Sequence, residues 1–158
     1  MNAMSVEDNL ESLLPQAKPM VLLSGYTPPQ DAHMVDAWVE VSPASPFYEI
    51  ESGGVPGCVA LEYMAQSMAL CVGLLRRRNG LKPAIGFVLG SRKFAVTIPY
   101  FKSGKRYDVH AENTYQDESF GSFDCVIRDA VGTVVASAQM TAFQPDGEMT
   151  SEKLEEFS

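Results

Sequence analysis

A single carboxylate interrupts an apolar helical run. Glu62 lies within Val55-Pro56-Gly57-Cys58-Val59-Ala60-Leu61-Glu62-Tyr63-Met64-Ala65-Gln66. A charged group in such surroundings costs free energy unless it is paired or has a task. The task open to a carboxyl here is proton transfer. The Pro56-Gly57 turn starts the helix, and the unbonded amides of a helix N-terminus are donors for negative charge that develops during a reaction. Gln66, one turn after Glu62, shares its face and either orients the carboxyl or only satisfies the helix surroundings. The plainer alternative for Glu62 is a pairing with a basic or hydroxyl group.

Other candidate groups are few. The only histidines are His33 and His110. His33 falls on the apolar face of an alternating run, and a satisfied or strand-end histidine is the more frequent outcome there. His110 alternates with Asp108 and Glu112 on a polar face. Cys58, Cys71 and Cys125 show no short paired spacing, so neither a disulfide framework nor a metal site is expected, and a reduced, cytoplasmic setting suits them. Cys58 lies at a helix N-terminus, which lowers a thiol pKa in general, but no cation or histidine is near it in sequence. It reads as a small lining residue rather than a nucleophile.

Charge excludes one class of partner. A net charge of -8 disfavours nonspecific nucleic-acid binding, which needs many cations on phosphates. Nine of the twelve basic residues nevertheless lie between Arg76 and Arg106, an interval without Asp or Glu. Arg76 to Arg78 would complement a helix C-terminus, and the remainder would be solvated strand ends. The sharper reading is a docking surface for an acidic partner or a phosphate-bearing ligand.

The elements that must hold these groups can be read from periodicity. Val6 to Leu14 has a helical pattern ending at Pro15, and Met20 to Leu23 reads as a short strand. From His33 to Val41, Val35, Ala37, Val39 and Val41 share one face, which predicts a half-buried strand. One long helix is expected from Pro56 to Arg78, stopped by Asn79-Gly80. Strands follow over 84–98, bent near Gly90, then over 105–115, 122–129 and 133–143. The helix is about the ~20 residues that a bilayer requires. Glu62 and Gln66 argue against a membrane span, and a helix apolar all round suits a protein core. Tyr63, Met64 and Met68 are expected in that core, and Ala65, Ala69 and Gly73 would allow close approach of a sheet. The N-terminus lacks the basic start and apolar stretch of a secretion signal. These elements predict one α+β domain over 1–144, an antiparallel sheet wrapped around a central helix, with an acidic, mobile tail over 145–158.

Four motifs together resemble the hotdog-fold 3-hydroxyacyl-[acyl-carrier-protein] dehydratases, and among them the divergent branch associated with aryl polyene synthesis. They are Leu13-Leu14-Pro15 with Pro19-Met20 and Leu22-Leu23; Pro56 to Glu62 with Ala65-Gln66; Gly86 to Gly90 with Arg92; and Gly121-Ser122-Phe123. The resemblance implies a hotdog fold, two subunits joined sheet edge to sheet edge, and active sites at the junction. It implies that Glu62 is the catalytic acid working with a histidine of the other subunit, and that the Gly57 and Cys58 amides polarise a thioester carbonyl. Gln66 is a further substrate-binding candidate, and Arg92 and Lys93, following the Gly86 to Gly90 motif, are the candidates for contacting the phosphate of a phosphopantetheine arm, with Arg76 to Arg78 in support. No metal or separate cofactor is implied; the partners are an acyl carrier protein and a second hotdog subunit, identical or different.

The sequence departs from that family in two places. Where the ordinary dehydratases carry a histidine before the Pro-Gly turn, this chain reads Pro46-Phe47-Tyr48-Glu49-Ile50-Glu51-Ser52-Gly53-Gly54-Val55, and Gln16 stands where a histidine is often found near the start. Three hypotheses compete. Glu62 could be completed by a histidine from a different hotdog partner. The chain could be an active homodimer using another base, such as Tyr48 or a repositioned histidine. It could also be a noncatalytic acyl-carrier binding or scaffold subunit. Thioester hydrolysis is a further option, since it too uses a carboxylate and a helix N-terminus.

Overall fold

The computed structural model describes residues 21–81, 87–117 and 119–143. Its elements are β1 (Gly25–Thr27), β2 (Met34–Glu40), β3 (Gly54–Pro56), a 3-10 turn (Gly57–Val59), α1 (Ala60–Arg78), β4 (Phe87–Val96), β5 (Tyr100–Lys102), β6 (Arg106–Gln116), β7 (Phe120–Arg128) and β8 (Val134–Phe143). Six strands form one antiparallel sheet in the order β1-β2-β6-β7-β8-β4, and β3 pairs with β5 in a separate two-stranded ribbon. The N-terminal helix, Gln16, the opening Leu-Pro motif, Gly86 and the acidic tail lie outside the described residues.

Alternation places one face of the sheet against α1. Val35, Ala37 and Val39 of β2, Val109 and Ala111 of β6, and Cys125 and Ile127 of β7 are all buried beneath the helix. From α1 the residues opposite them are Tyr63, Met64, Ser67, Leu70 and Cys71. The Tyr63 ring meets Phe101 edge-on at 5.2 Å, and Phe101 meets Tyr107 at 4.9 Å, tying the β3–β5 ribbon to the same core. The segment Gly57–Arg78 is long and apolar enough to cross a bilayer. Here one face of it, with Tyr63, Met64, Ser67, Leu70 and Cys71, is buried against the sheet, as expected of a core helix.

The helix stops as expected, at a glycine. Gly80 adopts φ +73°, its N–H bonds to the Arg77 carbonyl at 2.9 Å, and the Leu81 N–H reaches the Arg76 carbonyl at 2.8 Å. This is the paired C-terminal closure that a left-handed residue permits. Several other expectations are corrected. Among the described residues the first strand is Gly25–Thr27 and 21–23 are not part of it, because the Leu22 N–H is taken by the side chain of Gln66 at 2.8 Å and the ladder starts at Ser24, bonded to Trp38. Ala65 and Ala69 are only half-buried, on the side of α1 away from its deepest contacts, while Gly73 is buried. In β4 the irregularity is wider than a bend at Gly90. The register slips between Val88 and Gly90 and again between Arg92 and Ala95, where Lys93 has φ +52°.

Candidate active site

Gly57 was expected to lend its amide to a ligand, and the structure corrects this. Its N–H donates to the Pro99 carbonyl at 2.8 Å, extending the β3–β5 pairing in which Pro56 faces Tyr100. The glycine is required by closeness rather than by an open amide. A Cβ there would stand 2.5 Å from the Ile98 carbonyl oxygen and 3.2 Å from a Val96 methyl. Ribbon pairing therefore seats the turn firmly against residues 96–99. Cys58, the next residue, is exposed and carries a free thiol.

Helical geometry defines where Glu62 points. Residues advance 100° each along α1, so Leu61, Glu62, Ala65, Ala69 and Val72 fall on one stripe roughly opposite the sheet-facing residues. All five are half-buried. Cys58 continues the stripe one turn before Glu62. The result is an apolar strip, carrying one carboxylate, that the chain's own sheet covers only in part.

Glu62 is held from one side. Gln66, fully buried, donates from Nε2 to Glu62 Oε1 at 3.2 Å and accepts the Leu22 amide on its own Oε1 at 2.8 Å. A buried amide side chain is stable there because the backbone of the incoming segment saturates its oxygen. The carboxyl is thereby tied through Gln66 to residue 22, forty-four positions away from Gln66 in sequence.

Neither histidine joins this group within one chain. His110 lies on β6 between inward-facing Val109 and Ala111, so it projects from the outer face of the sheet, where Nδ1 meets Asp36 Oδ1 at 2.7 Å. His33 is exposed just before β2. Its neighbour Ala32 presents its carbonyl to the Cys71 thiol, nine residues or about 13 Å along the helix from Glu62. Tyr48 is half-buried against the core, and among the described residues its hydroxyl has no hydrogen-bond partner. Arg92 and Lys93 are exposed on β4, an edge strand, and α1 packs mainly on β2, β6 and β7. The structure thus unites Glu62, Gln66 and the Gly57–Cys58 turn; among the described residues no hydrogen bond or ion pair joins Arg92 or Lys93 to them, although Val96 of the same strand packs against the turn.

Three thiols have different surroundings. Burial pushes Cys71 up to about 11, with Asp31 adding to it, and Cys125 up to about 12, with Asp124 and Cys71 adding. Both are neutral packing groups at pH 7. Burial also raises the Tyr63 phenol, with Tyr107 contributing. No group of three or more His, Cys, Asp or Glu residues fit for a metal occurs among the described residues.

Comparison with known proteins agrees with this architecture. Residues 8–155 match the family model ApeP-like, described as ApeP dehydratase. The chain is similar to the dehydratase heterocomplex ApeI:P from Xenorhabdus doucetiae, with 31% identity over 94% of this chain and 95% of that one and a TM-score of 0.83. It also resembles a hypothetical thioesterase from Streptococcus pneumoniae TIGR4 solved with coenzyme A, at 19% identity, 82% and 91% coverage and TM-score 0.60. The PaaI protein of the E. coli phenylacetic acid degradation operon matches at 13% identity, 75% and 81% coverage and TM-score 0.58. These two distant likenesses speak to the fold alone, which is the hotdog. No curated protein matches the chain.

Proposed function

The chain belongs to the ApeP-like dehydratase family, and from that premise we propose that it is one half of a dehydratase acting on 3-hydroxyacyl thioesters carried by an acyl carrier protein, in aryl polyene or similar lipid synthesis. The observation that carries this reading is Glu62, fixed by Gln66 on a half-buried apolar stripe with no histidine of its own chain beside it. A second hotdog subunit covers the stripe and supplies the missing histidine. The heterocomplex nature of the ApeI:P relative supports a partner different from this chain.

Elimination of water across C2–C3 needs a base for the C2 proton and an acid for the C3 hydroxyl. The partner's histidine takes the C2 proton. As that proton leaves, charge grows on the thioester oxygen, and the amide of Cys58 is the donor for it, since that of Gly57 is committed to Pro99. One such donor is worth ~3 kcal/mol in comparable oxyanion sites. Glu62 then protonates the departing hydroxyl, and water and the 2-enoyl thioester are released. The apolar stripe excludes bulk water, which strengthens each of these interactions. Substrate arrives on the carrier's phosphopantetheine arm, so no further cofactor is needed. A cytoplasmic, reducing setting belongs to the same reading and is supported by the three free thiols.

The test is enoyl formation from a 3-hydroxyacyl carrier substrate by the purified chain, alone and mixed with a histidine-bearing hotdog partner. Turnover only in the mixture is expected. Turnover by the chain alone would favour a homodimer with another base. Carrier binding without turnover in either case would make it a scaffold.

A further inference from the structure

A second feature lies behind the helix start. A groove of about 280 Å³ runs between the β5–β6 turn and the β7–β8 turn. Its floor is Ile98, Tyr100 and Val135, and its rim carries Lys102, Lys105 and Arg106. Arg106 is already occupied: its guanidinium stacks 4.3 Å from the Trp38 ring and its Nε reaches Asp108 at 3.3 Å. Lys102 and Lys105 have no carboxylate within ion-pair distance among the described residues.

The one carboxylate in the groove does not balance them. Asp129 Oδ1 accepts the N–H groups of Val131 at 3.1 Å and Thr133 at 2.9 Å, which holds the carboxylate on the β7–β8 turn out of ion-pair reach of either lysine, one negative charge against the positive charges of Lys102, Lys105 and Arg106. On that same turn Val131 is 86% exposed. The groove therefore offers two uncommitted ammonium groups, an apolar floor and a projecting apolar lip. That combination fits an acidic protein surface that also inserts an apolar side chain. The backbone is set for the purpose: Gly104 bonds to the Val41 carbonyl at 2.8 Å, and the Lys102 amide bonds to the Tyr107 hydroxyl at 3.0 Å. The two lysines are thus displayed from a fixed turn.

Its place gives it meaning. Ile98 and Tyr100 line the groove, and Pro99 between them accepts the Gly57 N–H while Tyr100 pairs with Pro56. A partner seated here sits directly behind the turn that leads to Cys58 and Glu62. We propose that this groove, rather than the Arg92–Lys93 segment of β4, is where the acidic carrier docks. The inference rests on the carrier-linked reading given above.

The experiment compares wild type with K102E/K105E, R92E/K93E and V131D, each mixed with the hotdog partner. Two readouts are the carrier dissociation constant across 50–300 mM salt and KM for carrier-linked substrate relative to a short pantetheine thioester. For K102E/K105E a tenfold or larger rise in the dissociation constant and in that KM ratio is expected, with a shallower salt slope. V131D, exposed enough to leave folding intact, raises both severalfold. Unchanged carrier affinity in K102E/K105E, or a larger loss in R92E/K93E, overturns the inference. Failure of the carrier to bind wild type while the short thioester is dehydrated overturns it too and leaves the dehydratase reading intact. Weakened carrier binding in K102E/K105E with no dehydration of either substrate supports the groove and sinks the dehydratase reading.

Discussion

Gln66→Met isolates the strut beneath Glu62. Methionine keeps a similar volume in a fully buried position but removes the hydrogen bonds to Leu22 and Glu62. The Leu22 amide, bonded at 2.8 Å, is left without that acceptor inside the core, at a cost of about 1–3 kcal/mol. The bond to the half-exposed Glu62 adds about 1 kcal/mol more. A loss of roughly 2–4 kcal/mol corresponds to a Tm lower by roughly 4–16 °C for a domain of this size. The lower half of that range is expected, because methionine is the more readily buried side chain. Activity should suffer separately. With its strut gone, Glu62 samples other rotamers, and kcat of the mixed dehydratase should fall roughly 10–100-fold. Thermal denaturation followed by circular dichroism measures the first effect and enoyl formation the second. A variant melting within 1 °C of wild type, or one with full kcat, would refute the argument that Gln66 carries load for both the segment at Leu22 and the carboxyl.

Other consequences can be checked with single variants or a pH series. Gly57→Ala should lower both Tm and soluble yield, because its Cβ would stand 2.5 Å from the backbone oxygen of Ile98; a wild-type melting curve would show that the turn yields easily. Stability should decline at alkaline pH. The buried thiols of Cys71 and Cys125 hold their protons to about 11 and 12, above the ordinary value of about 8.5, so above that value the unfolded chain releases its protons first. Their contribution is complete below about pH 8.5 and is lost as pH rises toward 12, which urea titrations of wild type and Cys71→Ala between pH 7 and 11 would reveal. In native protein a thiol reagent should label Cys58 alone, with the other two reacting only after denaturation. His110→Gln should leave dehydration within twofold of wild type, because its ring lies on the outer face of the sheet against Asp36; a loss above tenfold would return it to the catalytic candidates.

What could be read beforehand follows from the range over which each signal acts. The β2 face is encoded in a period of two and the α1 stop in Asn79-Gly80, both local patterns, and both appear as expected. The ribbon of β3 and β5 was not anticipated. Each strand has three residues, and their pairing joins Gly54 to Lys102 across the whole helix, which no local period records. The misreading of the Gly57 amide has the same origin, since its partner at Pro99 belongs to that ribbon. Glu62 stood out as a charge in an apolar run. Its tie to Gln66 was open to a spacing argument, whereas the tie from Gln66 to Leu22 was not. The basic interval between Arg76 and Arg106 was visible as composition, but only the fold separates lysines that line a groove from residues on an edge strand.

The central claim is that Glu62 of this chain and a histidine of another subunit act on one substrate. Reciprocal complementation tests it: Glu62→Gln in this chain with the wild-type partner, and the wild-type chain with a partner whose histidine is replaced by glutamine, each assayed for enoyl formation after the complex is confirmed by size. Loss of turnover in both mixtures, with assembly intact, is the predicted result. Undiminished turnover in the complex carrying Glu62→Gln would contradict it.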